Sequence, residues 1–515
     1  MRLGLILLFV INAATALGGE FRVLPYVQNP SSNSVTIRWF SETSDVGTLK
    51  VTDRTGELSF QVPSEPADAL AFNPFKEEPD GPHPGIPFRH TITVDGLKPA
   101  QKYSFTVLQG QEAAAGTFRT APLSSTTESV RLIVYSDSET EPESSTVGPV
   151  AWPAGPNSNR PEGRINYVAD QTVGYQENCR IMRERSPDLL LVVGDLVESG
   201  GEQRDWDEFW RHNAGDLGQI ASHVPIVPAL GNHENYGGPG GGYSAEAADF
   251  AVEKYLTYFA VPDNHAADPH HRGRYYRLDY GPVTILTLDS SDGLPHQTAS
   301  DTNHNLTGSR APDFNPGSEQ YRWLESQLAD AQKNQRIVFV QFHHTMFGSG
   351  PHSIPFGNAN FSGQSGIAMR VLLPVFMKYG VDTVFSGHDE MLERSEVSGL
   401  RQNLDGSNEL HTIHFYDVGI GGDGLRGPSE GFDNPHRRFL AHDDAKEIWE
   451  NGQLVSGGKH YGHLEVNVVP DESKSWTISI DPVHVFPVTD REGHITAWER
   501  RVYADSVKWT KGGRH

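Results

Sequence analysis

Asp188-Leu-Leu-Leu-Val-Val-Gly-Asp-Leu-Val-Glu198 opens as an unbroken apolar run, stops at a glycine and continues into acidic side chains. A short run of this kind, without polar alternation, is the pattern of a strand buried on both faces, as in sheets covered by helices. Its acids then stand in the loop at the strand's carboxyl end, where open α/β sheets gather ligand-binding groups. The same punctuation recurs along the chain. Arg131-Leu-Ile-Val-Tyr135 runs into Ser136-Asp-Ser-Glu139, and Gly231-Asn-His-Glu234 repeats the glycine-then-ligand pattern. Arg336-Ile-Val-Phe-Val-Gln-Phe342 ends in His343-His344, and Val381-Asp-Thr-Val-Phe385 leads into Gly387-His-Asp-Glu390. Loops at neighbouring strand ends converge in space, so these oxygen and imidazole donors read together as ligands for a pair of metal ions.

The 515 residues exceed one ordinary core, and two domains are expected. Met1-Arg2, the apolar run Leu3 to Ile11 and the small-residue spacing Ala14-Thr-Ala16 form a secretory signal over residues 1–19, so the protein is expected to be secreted or periplasmic. That apolar run is too short to span a bilayer, and no membrane anchor is expected. Cys179 is the single cysteine, which excludes an intramolecular disulfide and leaves stability to core burial and bound metal. A formal net charge of −24 with no basic stretch argues against a nucleic-acid partner, because phosphate backbones need compensating Lys and Arg.

Residues 20–122 alternate apolar and polar positions in short runs without a helix. Ser34-Val-Thr-Ile-Arg-Trp-Phe40, Leu49-Lys-Val51, His90-Thr-Ile-Thr-Val94 before Asp95-Gly96, Lys102 to Val107 and Gly116 to Thr120 predict a β-sandwich. Ala121 to Glu128, rich in Ser and Thr, is the linker. From 130 to 485 strand and helix patterns alternate: Tyr175, Cys179 and Met182 share one helical face, as do Tyr321, Leu324, Leu328 and Ala331. A helix near Met369 to Tyr379 contains Pro374, which argues against its regularity. Two long Gly/Pro/Asn-rich stretches, Glu139 to Arg164 and Ser291 to Pro316, leave strand ends on the ligand side and are expected to wall the site. Gly419-Ile-Gly-Gly-Asp-Gly424 lacks the Lys-Ser/Thr of a nucleotide loop and reads as a tight turn near the site. The tail, 486–515, carries no pattern that assigns it.

Taken in order, Ser-Asp-Ser-Glu139, Gly194-Asp195, Gly231-Asn-His-Glu234, Val340-Gln-Phe-His343 and Gly387-His388 resemble the calcineurin-like metallophosphoesterases. With Pro25-Tyr-Val-Gln-Asn-Pro30 in front, they resemble most the purple acid phosphatase branch. The resemblance implies an αββα four-layer catalytic domain behind a fibronectin type III-like sandwich. It implies Asp195 as the carboxylate bridging two metals, with Asn232, His343 and His388 completing a nitrogen and oxygen site suited to zinc, manganese or iron. Around the other metal the chain departs from its relatives: Asp137 stands, but Glu198 replaces the iron-binding Tyr and Glu390 the last His. Without that Tyr no tyrosinate charge-transfer colour is expected. Glu139 and Glu198 are either further ligands or solvated loop carboxylates. The resulting all-oxygen pocket would suit calcium, magnesium, manganese or iron.

By the same resemblance His233 contacts the phosphate or donates a proton to it, and His352 in Gly348-Ser-Gly-Pro-His352 protonates the leaving alkoxide. Glu234 is expected to orient His233, and His344, if the strand continues past His343, to point elsewhere and act behind the ligands. The expected activity is hydrolysis of small phosphate monoesters by a metal-bridging hydroxide. A phosphodiesterase on the same core, or a non-catalytic metal-stabilised extracellular binding protein, are the alternatives.

Overall fold

A computed structural model describes residues 20–512, apart from 55, 76–82, 146–153, 155–157, 165–170, 307 and 472–474. The expected signal segment lies outside the described residues, as does much of the stretch after Glu139.

Two seven-stranded sheets pack face to face. In the first, the parallel strands Ile226–Pro228, Leu189–Val192 and Val130–Tyr135 are continued by the antiparallel strands Gly462–Pro470, Trp476–Thr489 and Ile495–Val502, with Val507–Lys511 also pairing to Trp476–Thr489. In the second, Val283–Thr287, Ile337–His344, Thr383–Gly387 and Asn408–Val418 are parallel, flanked by antiparallel edges. The continuous apolar runs become intelligible once each strand is seen to feed two cores by its period of two. Val130, Leu132 and Val134 join Leu189, Leu191, Ile285, Phe339 and Phe385 between the sheets. Ile133, Tyr135, Leu190 and Val192 face outward onto Tyr175, Trp206, Phe209 and Tyr255 of the covering helices Gln171–Glu184, Gln203–Ala214 and Ala245–Tyr258. Val338, Val340 and Phe342 likewise meet Leu324, Leu328 and Phe376 of helices Glu319–Lys333 and Leu373–Tyr379. The domain is therefore an αββα sandwich.

Pro374 falls in the first turn of helix Leu373–Tyr379, where a missing N–H costs no helical bond, and the preceding residues form a 3-10 segment, Gly366–Leu372. The tail contributes Ile495–Val502 and Val507–Lys511 to the first sheet. Polar side chains obscure them in the sequence because both strands are at most half buried.

Residues 21–119 form two four-stranded sheets closed on Val35, Ile37, Trp39, Leu49, Val107 and Phe118. The opposite face of strands Phe21–Gln28 and Ser34–Ser41 is covered by the second domain. Val23, Tyr26 and Phe40 belong to the core of the second domain. Tyr26 Oη donates to Tyr258 O at 2.8 Å, and Arg38 donates to Thr257 O at 2.8 Å. These are terminal carbonyls of helix Ala245–Tyr258, which the helix cannot satisfy itself and which favour a neighbouring cation.

Candidate metal centre

Six parallel strands from the two sheets end at one place. Asp137 and Glu139 follow Val130–Tyr135, Asp195 follows Leu189–Val192, and Asn232 and His233 follow Ile226–Pro228; His343 closes Ile337–His344, His388 and Glu390 follow Thr383–Gly387, and Gly419–Asp423 follows Asn408–Val418. The loops are bonded to one another, with Asp137 N donating to Gly194 O at 3.2 Å and Ser138 N to Asp195 O at 3.0 Å. His388 N donates to both Asp137 carboxylate oxygens at 3.1 Å, and His233 N to Asp195 Oδ1 at 2.9 Å.

The motif glycines make room for ligands of other motifs. A Cβ on Gly194 would lie 2.6 Å from His343 Nδ1, on Gly231 2.1 Å from Asp195 Oδ1, and on Gly387 2.3 Å from Asp137 Oδ2. Five candidate ligands also hold left-handed backbone: φ is 56° at Asp137, 35° at Glu139, 50° at Asp195, 80° at His388 and 47° at Glu390. Each such residue costs roughly 1–3 kcal/mol, a strain that gathers at binding sites and must be offset by surrounding structure.

His343 Nδ1 donates to Val193 O at 3.0 Å, which turns Nε2 toward Asp195 Oδ2 at 2.7 Å and Asn232 Oδ1 at 3.0 Å. Two oxygens and an imidazole nitrogen so close require a positive charge among them, a proton or a metal ion. His388 supplies a further donor atom within the same group, and its buried Nε2 has no hydrogen-bond partner. An orphaned imidazole nitrogen beside a carboxylate and a second imidazole is the chemistry of a borderline divalent cation, and these residues fit one. Asp137, Glu139 and Asp195 place carboxylate oxygens in a second group, while Glu139, Glu390 and Asp423 form a third and Glu139, Glu198 and His233 a fourth. Glu139 thus belongs to three oxygen-rich groups, which favours its reading as a ligand over that of a solvated acid. Glu198 has a side chain 39 % exposed, and its carboxylate lies 3.8 Å from His233 Nδ1.

Electrostatics agree with a cation requirement. Burial, with Asp195 adding to it against the pull of His343, pushes Asp137 up to about 6. Burial and the neighbouring Asp423 raise Glu139 and Glu390 well above the usual carboxylate range. Burial would also raise Asp195, but His343 and His233 hold it well below that range. Burial and neighbouring imidazoles keep His388 neutral, the form a ligand needs.

Several expectations need correction. Glu234 does not orient His233. Wholly buried, it accepts from Gly231 N at 2.7 Å, Asp195 N at 3.0 Å and Leu196 N at 2.8 Å, clamping two ligand loops together, while His233 Nδ1 is taken by Glu198 O at 2.5 Å. His344 does not point away from the site. The strand bulges between Gln341 and His344, and the His344 ring lies 4.5 Å from that of His388, with Nδ1 on Ser290 Oγ at 2.9 Å. His352 does reach the site, its ring 4.1 Å from His388, but its Nε2 accepts from Arg426 at 3.2 Å and its Nδ1 faces Ser362 Oγ at 3.0 Å. Because Arg can only donate, that imidazole is neutral with its proton on Nδ1, which is not the form of a proton donor to a leaving group. Glu390 is at the site with Oε1 paired to Arg426 at 2.6 Å. Asp423 and Arg426 escaped the sequence reading because they lie in a Gly-rich turn with no ligand spacing. The backbone N–H groups of Gly421, Gly422 and Asp423 dock that turn onto the carbonyls of Ser136 and Asp137.

Of the two long stretches, Ser291 to Pro316 folds against this centre: Asn235 donates to Ser291 Oγ at 2.9 Å, and Asn303 bridges to Gln364, whose amide reaches Tyr243 Oη at 3.1 Å. Tyr243 Oη in turn accepts from Asn232 Nδ2 at 3.2 Å, fixing which end of that amide faces His343.

Residues 169–389 match the calcineurin-like phosphoesterase family. That match lies within the second domain. An uncharacterized protein of Mycobacterium tuberculosis is 31 % identical over 311 residues, which is 59 % of this chain and 50 % of that protein. The probable inactive purple acid phosphatase 27 of Arabidopsis thaliana is 25 % identical over 363 residues, 65 % of this chain and 49 % of that one. The chain spans about half the length of these curated relatives. The purple acid phosphatase PPD1 from yellow lupin seeds shares the fold, with a TM-score of 0.61 at 18 % identity over 94 % of this chain and 73 % of that one. Among the described residues no helix is long and apolar enough to cross a membrane.

Proposed function

We propose that the phosphoesterase domain hydrolyses small phosphate monoesters with two bound metal ions. The observation that carries this reading is the convergence of Asp195, Asn232 and His343 on one point, beside the unpartnered Nε2 of His388. Asp195, Asn232, His343 and His388 would hold one ion, and Asp137, Asp195, Glu139 and Glu390 the other, with Glu198 at the margin. When bound, the two ions supply charge neutralisation of the phosphate and acidify a water near neutral pH. The chain's own residues then set orientation. His233 has Nδ1 tied to Glu198 O, which directs Nε2 toward Glu139 at 3.8 Å, on the face where a phosphate oxygen would arrive. Glu234 holds the backbone of Asp195 and Gly231 fixed, and Tyr243 sets the Asn232 amide. His344 and the stretch after Ser290 close the site behind the ligands.

Export from the cell, read from the first nineteen residues, belongs to the same proposal, and the mass of the mature protein tests it. A second reading, a metal-binding protein without catalysis, draws on Glu390 being tied to a guanidinium and on a relative named as probably inactive. One experiment separates the two. The purified protein is stripped of metal, single ions are returned, and turnover of nitrophenyl phosphate is followed alongside elemental analysis. Metal-restored turnover abolished by Asp195→Ala is the expected result; metal uptake without turnover under any ion would establish the non-catalytic reading.

A further inference from the structure

The candidate centre is short of positive charge. The contiguous donor groups contain six carboxylates, those of Asp137, Glu139, Asp195, Glu198, Glu390 and Asp423. Two divalent ions offset about four of these charges, so an arriving phosphate dianion still meets net negative charge. Arg426 is ion-paired to one of them, Glu390. It is held firmly. Gly424 and Leu425 take φ of 67° and 73°, Leu425 is wholly buried, and the chain so turned brings Arg426 back across Glu390. Its guanidinium spans Glu390 Oε1 at 2.6 Å and His352 Nε2 at 3.2 Å, yet the side chain remains 48 % exposed. Two of its nitrogens are thus anchored to the centre while the side chain keeps a solvent-open face.

We propose that Arg426 is the residue that makes this site select phosphate monoesters over diesters, its exposed N–H groups taking a non-bridging oxygen of the dianionic phosphoryl group. This rests on the phosphatase reading above and goes further by naming what sets substrate class. A planar fork of donors favours an oxyanion with two charged oxygens to share, and a diester monoanion has less charge to offer it.

The test compares wild type with Arg426→Gln and Arg426→Lys as full-length, metal-loaded proteins. Three quantities are read: kcat/KM on nitrophenyl phosphate and on bis-nitrophenyl phosphate, the Kd of inorganic phosphate by calorimetry, and metal content. The expected result for Arg426→Gln is a roughly 10- to 100-fold fall on the monoester, a matching weakening of phosphate binding, a loss of no more than about threefold on the diester, and unchanged metal content. Arg426→Lys should recover part of the loss. Equal loss on both esters, no loss on either, or loss of metal would overturn the proposal, the last by showing that Arg426 acts only through Glu390. Should wild type turn over neither ester, the phosphatase reading falls, and phosphate affinity still decides whether Arg426 binds the anion.

Discussion

Glu234 offers the sharpest check on how the centre is held together. Its two oxygens satisfy three backbone N–H groups, of Gly231, Asp195 and Leu196, with no exposure to water. In Glu234→Gln the carbonyl oxygen can keep the two bonds made by Oε2, but the amide nitrogen then faces Leu196 N–H, donor against donor. One backbone donor is orphaned and an amide is buried without an acceptor, which costs about 2–6 kcal/mol at about 1–3 kcal/mol per unmet group. Glu234→Ala orphans all three donors and should cost about 3–9 kcal/mol on the same scale. Because Asp195 and Asn232 lie on the clamped loops, metal affinity should fall about 10- to 100-fold for Gln and further for Ala. Denaturant titration of the metal-free protein measures the first effect, and competition with a chelator the second. Both variants staying within about 0.5 kcal/mol and threefold of wild type would refute the clamp, leaving Glu234 as inert filling.

Gly231→Ala places a methyl 2.1 Å from Asp195 Oδ1 and should cost about 100-fold in metal affinity, as competition with a chelator would show. Burial would raise Glu465, but the imidazole of His463, 3.8 Å away, and a hydrogen bond from Arg500 at 2.8 Å hold it well below the usual carboxylate range. Its stabilisation is therefore complete above the unfolded carboxylate pKa of ~4.3 and is lost as pH falls toward the folded value. Glu465→Gln should then destabilise by about 3 kcal/mol at pH 7, and its gap from wild type should close steadily below about pH 4 in urea titrations. Chelation should lower the thermal midpoint, with readded ion restoring about 4 kcal/mol per site at a thousandfold excess over Kd. A midpoint indifferent to chelator would count against a resident ion.

Much of the architecture was legible in the residues because strand ends are punctuated. Apolar runs stopping at Gly194, Gly231 and Gly387 announced both the sheets and the loops that bear ligands, and the helical faces of Tyr175 and Leu324 pack as their spacing requires. What stayed hidden has physical causes. The strands Ile495–Val502 and Val507–Lys511 lie at the wet side of a sheet, where no apolar alternation is needed. His344 joins the site through a bulge, and a single inserted residue reverses the side on which a strand residue falls. Asp423 and Arg426 are brought in by a turn whose only signature is glycine, and glycine reports room, not chemistry. Glu234 sits next to His233 in the chain yet serves different partners, because adjacent residues in a 3-10 turn point apart.

The glycines that clear space across motifs make the loops a keyed set. Enlarging any one of them displaces a donor belonging to a different stretch of chain, so no loop can drift alone. Variation that alters metal preference should accordingly enter at the donors themselves, while the small residues beside them stay fixed by their neighbours' bulk.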